Sequence, residues 1–130
     1  MGLVSAALDF RMNTIKHWDM EFDSNKPLYI QIADNICEKI LSGEMTPGSR
    51  IPSVRECGAK IGVNPNTVAR SYEILTNKSV IYNQRGIGFF VSDNAISAIQ
   101  ESELDKFIKE EIPAFVNRAK LLGIDLKEYI

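Results

Sequence analysis

Leu28, Ile32, Ile36 and Ile40 recur every four residues, with Tyr29, Ala33 and Cys37 beside them. That spacing predicts an amphipathic helix with a core-facing apolar stripe, entered at Ser24, Asn25 and Pro27 and ending at Ser42-Gly43. Thr46-Pro47-Gly48 reads as a turn and Arg50-Ile51 as a short extended piece. From Pro52 to Arg70 the pattern changes to two short helices joined by a glycine break. Ser53 and Glu56 form a capping box, so a helix should begin at Val54. Val54, Cys57 and Ile61 share one face of it, and Gly62 supplies the φ > 0 stop. Asn64 is an N-cap and Pro65 an N1 residue for the second helix. That helix is expected to turn Asn66, Thr67, Arg70 and Ser71 outward and Val68, Tyr72 and Leu75 inward. Helix, tight turn, helix with a polar opening turn is the DNA-reading helix-turn-helix, although an αα-corner in a helical domain has the same outline.

The flanks complete the outline. After a break at Asn77 to Ser79, Val80-Ile81-Tyr82 and Gly88-Phe89-Phe90-Val91 are β-prone runs around a basic tip, Asn83-Gln84-Arg85-Gly86-Ile87. A hairpin placed directly after the second helix reads as the wing of a winged helix, and Arg85 suits a minor groove. The tip can also be read as a solvated turn. Asp93 or Asn94 should cap a last helical region. Its stripe comprises Ile96, Ile99, Leu104, Phe107, Ile108, Ile112, Phe115, Val116, Ala119 and Leu122, and it stops at Gly123. Pro113 should kink or split this helix. The stripe needs a cover; a second copy of the chain is favoured over folding back on its own winged helix. Upstream, Met1 to Asp23 has no clean period. Leu3 to Leu8 reads as a weak helix or as disordered sequence, and Met12 is an alternative start. Alternating Trp18, Met20 and Phe22 suggest a short extended strand, and His17 reads as a surface residue. The predicted division is 1–24 extension, 25–92 winged helix-turn-helix and 93–130 dimerisation segment.

Charge changes the picture more than composition does. The net charge of −2 argues against nucleic acid if taken whole. Yet Met45 to Val91 carries six basic residues, Arg50, Arg55, Lys60, Arg70, Lys78 and Arg85, against Glu56 and Glu73, a net +4. The segments 1–44 and 92–130 each carry −3. Positive charge is therefore concentrated where phosphate would lie. No apolar run is long enough to span a bilayer, so no membrane role and a cytoplasmic location are expected. Cys37 and Cys57 fall among apolar neighbours and read as free buried thiols. One histidine without a Cys/His cluster leaves no zinc site, and no cofactor is implied. Without a nucleophile–base constellation or a phosphate loop, an enzyme has no residues to work with.

Pro27 to Leu75, PLYIQIADNICEKILSGEMTPGSRIPSVRECGAKIGVNPNTVARSYEIL, and Gln84 to Val91, QRGIGFFV, resemble the GntR family of bacterial transcription regulators. PSVRE and GVNPNTVAR are the specific motifs, and the short two-helix tail is similar to the YtrA-like subfamily. The resemblance implies that Arg55 contacts DNA from the first helix of the motif. It also implies that Asn64, Asn66 and Thr67 meet base edges and phosphates, that Arg70 reaches phosphate, and that Arg85 and Gly86 approach the minor groove. Ser53 and Ser71 complete the expected DNA-binding set. Leu104, Phe107, Ile108, Ile112, Phe115, Val116 and Leu122 form the expected dimer contact. Three departures stand out: Cys57-Gly58 replaces the usual Leu-Ala, Asn77-Lys78-Ser79 the usual acidic-plus-glycine turn, and Asn83-Gln84 makes the wing less basic.

The expected fold class is α+β, mostly helical: a winged helix-turn-helix with a short C-terminal helical dimerisation tail. The expected function is a sequence-specific DNA-binding transcription regulator, a repressor, that meets an inverted-repeat operator on double-stranded DNA as a homodimer. Any small-molecule effector would act through the dimer angle or the junction of tail and winged helix, because no self-contained sensor domain is evident. The competing reading is a winged helix serving as a protein-interaction module.

Overall fold

The computed structural model describes residues 20–130. Among them the chain runs α1 (Leu28–Leu41), α2 (Val54–Ile61), α3 (Pro65–Asn77), β1 (Ile81–Gln84), β2 (Gly88–Val91) and α4 (Ala95–Lys106), followed by a π-helical turn (Phe107–Glu111), α5 (Ile112–Leu121) and a final 3₁₀ turn (Leu126–Glu128). It divides into two compact units at Ala98 and Ile99. Leu3 to Leu8, read as a weak helix or as disordered sequence, and His17 and Trp18 lie outside the described residues. Met20 to Asp23, the rest of the expected strand, have no regular structure.

α1 begins as expected, but not through the cap expected. Pro27 is its N-cap and offers no side-chain acceptor. The Gln31 side chain organises the entry instead. Its amide donates to the carbonyls of Asp23 (2.5 Å) and Lys26 (2.8 Å), and its Oε1 accepts from the Asp23 N–H (2.6 Å). The four-residue stripe is core: Ile32, Ile36 and Ile40 are fully buried. α1 and α2 both pack on α3, whose Val68, Tyr72 and Leu75 face inward, and the core is closed by Val80 just before the sheet and by Ile81 and Val91 within it. At roughly 1.5–3 kcal/mol for each buried aliphatic side chain, this set supplies the principal drive to fold the unit.

β1 and β2 pair antiparallel in the register Ile81↔Val91 through Gln84↔Gly88. Tertiary pairing adds a third member. Residues 48–51 run along β2, with Arg50 bridged to Phe90, the Ile51 N–H donating to Phe89 O (2.9 Å), and the Val91 N–H to Ser49 O (2.9 Å). The short extended piece before Pro52 is thus the far edge of the wing sheet, which holds the entry to α2 against it.

Two of the departures from the family pattern have opposite consequences. Gly58, buried inside α2, costs about 1 kcal/mol by propensity alone. However, a Cβ there would stand 2.6 Å from the Val63 carbonyl oxygen, so the glycine lets the turn pass close over the helix. Ser79 has no such compensation. α3 ends in a Schellman motif, with the Val80 N–H on Leu75 O and the Ser79 N–H on Thr76 O, and Ser79 takes the left-handed corner at φ 62°. Only glycine adopts that conformation freely. Ser79→Gly should therefore raise the unfolding free energy by about 1 kcal/mol, read as a higher urea midpoint at unchanged slope. An unchanged or lower midpoint would mean that the corner carries no strain.

In the second unit, helical backbone runs unbroken through Pro113, with a π turn inserted just before it. The Ile112 N–H bonds to Phe107 O, the i→i+5 spacing of a π turn, and Pro113 falls in the first turn of α5. Its missing N–H is harmless there. Gly123 at φ 73° ends α5 as expected.

Candidate nucleic-acid interface

The capping box forms as predicted. Ser53 Oγ accepts from the Glu56 N–H (3.1 Å) and the Ser53 N–H donates to Glu56 Oε1 (3.2 Å). The Ser53 backbone bond, then its hydroxyl, then the charges of Arg50 and Lys60 hold the Glu56 carboxyl below its ordinary value. This fixes the first turn of α2 and leaves Arg55 exposed at its second position. Gly62, at φ 71°, closes α2, and Asn64 opens α3 by accepting the Asn66 N–H on Oδ1 (2.8 Å). The Asn64 carbonyl is spent on the cap, so its amide N–H groups are what it can offer a ligand.

Asn66 is exposed on the opening turn of α3 and Thr67 half-buried beside it. Arg70 follows one turn later with its guanidinium 3.9 Å from the centroid of the Tyr29 ring. The aromatic face from α1 restrains that side chain without neutralising it, an interaction of about 0.5–1 kcal/mol at an exposed site. At the wing tip the Ile87 N–H closes the turn on Gln84 O (2.9 Å), Gly86 takes φ 81°, and Arg85, Gly86 and Ile87 are exposed.

Ser71 corrects the sequence reading. Expected to face outward, it is fully buried, and its hydroxyl donates to Tyr29 O (2.7 Å) across the α1–α3 contact. Its position relative to Val68 and Leu75, at i+3 and i−4, is that of the inward stripe, so helical spacing could have placed it correctly. Ser71→Ala should cost about 1 kcal/mol of stability by leaving that contact without its donor, and should leave DNA affinity unaltered. A selective loss of DNA binding at full stability would return Ser71 to the interface.

Beneath this surface Tyr72 is buried, with its hydroxyl donating to Pro52 O (2.6 Å) and its ring edge-on to Phe89 at 5.0 Å. Burial, and then the neighbouring Cys57, drive the phenol far above its ordinary value. Burial likewise pushes the Cys57 thiol up to about 11, so it is an inert core group. Cys37 is half-buried, and neither cysteine is in a disulfide among the described residues. In the sequence Arg50 stands out only as one of six basic residues in the segment 45–91 and as part of a short extended piece. Its neighbours on the wing are supplied only by the pairing of residues 48–51 with β2.

The arrangement is that of a winged-helix DNA-binding regulator. Residues 28–91 match the family described as bacterial regulatory proteins, gntR family. The Bacillus subtilis HTH-type transcriptional repressor YtrA is 36% identical over 105 residues, spanning 81% of this chain and 80% of YtrA. A solved transcriptional regulator of the GntR family from Bacteroides thetaiotaomicron is 48% identical, with a TM-score of 0.60 over 78% of this chain and 88% of its own. The DNA-binding domain of AraR, solved in complex with operator ORE1, is 27% identical, with a TM-score of 0.50 over 55% of this chain and 90% of its own. The chain belongs to the GntR family: it is a DNA-binding transcriptional regulator and not an enzyme. No helix among the described residues is long and apolar enough to cross a membrane.

Proposed function

We propose that the protein is a homodimeric repressor acting in the cytoplasm on an inverted-repeat operator. The observation that carries the reading is the exposed polar and basic surface formed by Arg55 on α2 and Asn66 and Arg70 on α3, with Arg85 at the wing tip. Asparagine can pair bidentately with adenine in the major groove, arginine with guanine or phosphate. The apolar stripe of the tail, with Phe107 and Phe115 exposed, supports a second copy as its cover. Two-fold symmetry then calls for two half-sites about one helical turn apart. Repression is drawn from the likeness to YtrA, and operator reading from the likeness to AraR.

Selection of bound sequences from a random duplex pool, with stoichiometry measured on the winner, tests this reading. A palindromic consensus bound by two chains supports it. Absence of enrichment over background sinks it and favours a winged helix that serves a protein partner. On the selected operator, Arg55→Ala should weaken binding roughly 10- to 100-fold with the melting temperature unchanged. Asn66→Ala should relax sequence preference more than total affinity. A uniform loss across sequences would move Asn66 to the backbone contacts.

A further inference from the structure

Arg50 lies outside the helix-turn-helix, yet the fold delivers its charge to the tip end of the wing, where Gly88 pairs with Gln84. Its bridge to Phe90 places it on the sheet face that also carries Tyr82, whose ring stacks on Phe90 at 5.6 Å and 19°. From there its side chain reaches Gly88, the first residue of β2. A Cβ at 88 would stand 2.9 Å from Arg50 Nε, 3.4 Å from Nη2 and 3.5 Å from Cζ. The guanidinium thus lies against bare backbone where any other residue would displace it, and Gly88 also has φ +145°. On its other side Arg50 shares an open cleft of about 190 Å³ with Ile51, Pro52, Glu56 and Lys60, at the start of α2. Among the described residues Arg50 enters no ion pair within 4 Å. Glu56 feels its charge, but that carboxylate is bonded to the Ser53 N–H.

This exposed cation therefore borders both parts of the interface, the wing at Gly88 and the start of α2 at Glu56 and Lys60. When a winged helix sets a helix in the major groove and a wing in the adjacent minor groove, the sugar-phosphate strand dividing the grooves must pass between them. We propose that Arg50 is a DNA-contacting residue that binds a backbone phosphate of that dividing strand, with the missing side chain at Gly88 keeping its guanidinium in place. The inference rests on the DNA-binding reading above and adds a contact that carries affinity without sequence preference.

Salt titrations of the full chain on the selected operator and on a random-sequence duplex test it, with Arg50→Gln, Arg50→Lys and Arg55→Ala compared against wild type. Arg50→Gln should weaken both duplexes by a similar factor, roughly three- to tenfold, and reduce the slope of log K against log salt by about one. Arg50→Lys keeps the charge and should keep the slope. Two results overturn the proposal while leaving the DNA-binding reading intact. One is an unchanged slope in Arg50→Gln while Arg55→Ala weakens binding. The other is a slope lost equally in Arg50→Lys, which would mean that the side chain acts by packing against the wing. If wild type binds neither duplex, the DNA-binding reading fails and takes this inference with it.

Discussion

A Phe115→Glu variant is expected to sediment as a monomer and to bind a palindromic operator at least about 100-fold more weakly, with little change on an isolated half-site. Phe115 is 62% exposed, and Leu104, Phe107, Ile108, Ile112 and Leu122 are likewise exposed, with Val116 half-buried beside them. A continuous stripe of large apolar side chains along one helical segment loses stabilisation for as long as water covers it. A carboxylate placed in its middle has no partner charge once a second copy closes over it, at a cost of several kcal/mol. Losing the partner then removes the second half-site, whose effective concentration can multiply affinity by roughly 10²–10⁴. Analytical ultracentrifugation beside anisotropy on full and half operators reads both effects. A variant that remains a dimer would place the association elsewhere on the chain.

Tyr72→Ala is expected to lose about 3–5 kcal/mol, enough to unfold a domain of ordinary stability near physiological temperature. Tyr72 joins three parts of the first unit. Its helix packs on α1 and α2, its ring lies edge-on to Phe89 of β2, and its hydroxyl closes the Pro52 carbonyl just before α2. Tyr72→Phe keeps the ring and leaves that carbonyl without its donor, for about 1–2 kcal/mol. Urea unfolding monitored by circular dichroism separates the two. Equal losses would assign the whole effect to the hydroxyl, and losses under 1 kcal/mol in both would show that the core repacks around the gap.

The elements that were legible in the sequence are those held by local chemistry. The Ser53–Glu56 box, the Asn64-Pro65 start, the glycine stop at Gly62 and the four-residue stripe of α1 each depend on side chains within one or two turns of one another. Short-range rules place them without knowledge of the fold. The hairpin was legible for the same reason, since a tip of Arg85 and Gly86 between two β-prone runs bends locally. The misses share the opposite property. Ser24 and Asn25 looked like the entry to α1, but the acceptors that mattered were backbone carbonyls reached by Gln31 from inside the helix. Ser71 looked like part of a polar opening turn, but its partner is the Tyr29 carbonyl, forty-two residues away in sequence.

By itself, the sequence determined two helices with a capped turn between them, a basic hairpin after them, and an apolar helical tail perturbed at Pro113. Periodicity, caps and φ > 0 positions are properties of neighbouring residues. Tertiary structure alone decided that Ser71 bonds to the Tyr29 carbonyl, that residues 48–51 join the wing sheet, and that Arg50 lies over Gly88. Each of these turns on a hydrogen bond or a close approach between segments far apart in the chain. Such contacts exist only after the apolar faces of α1, α2 and α3 have been buried together.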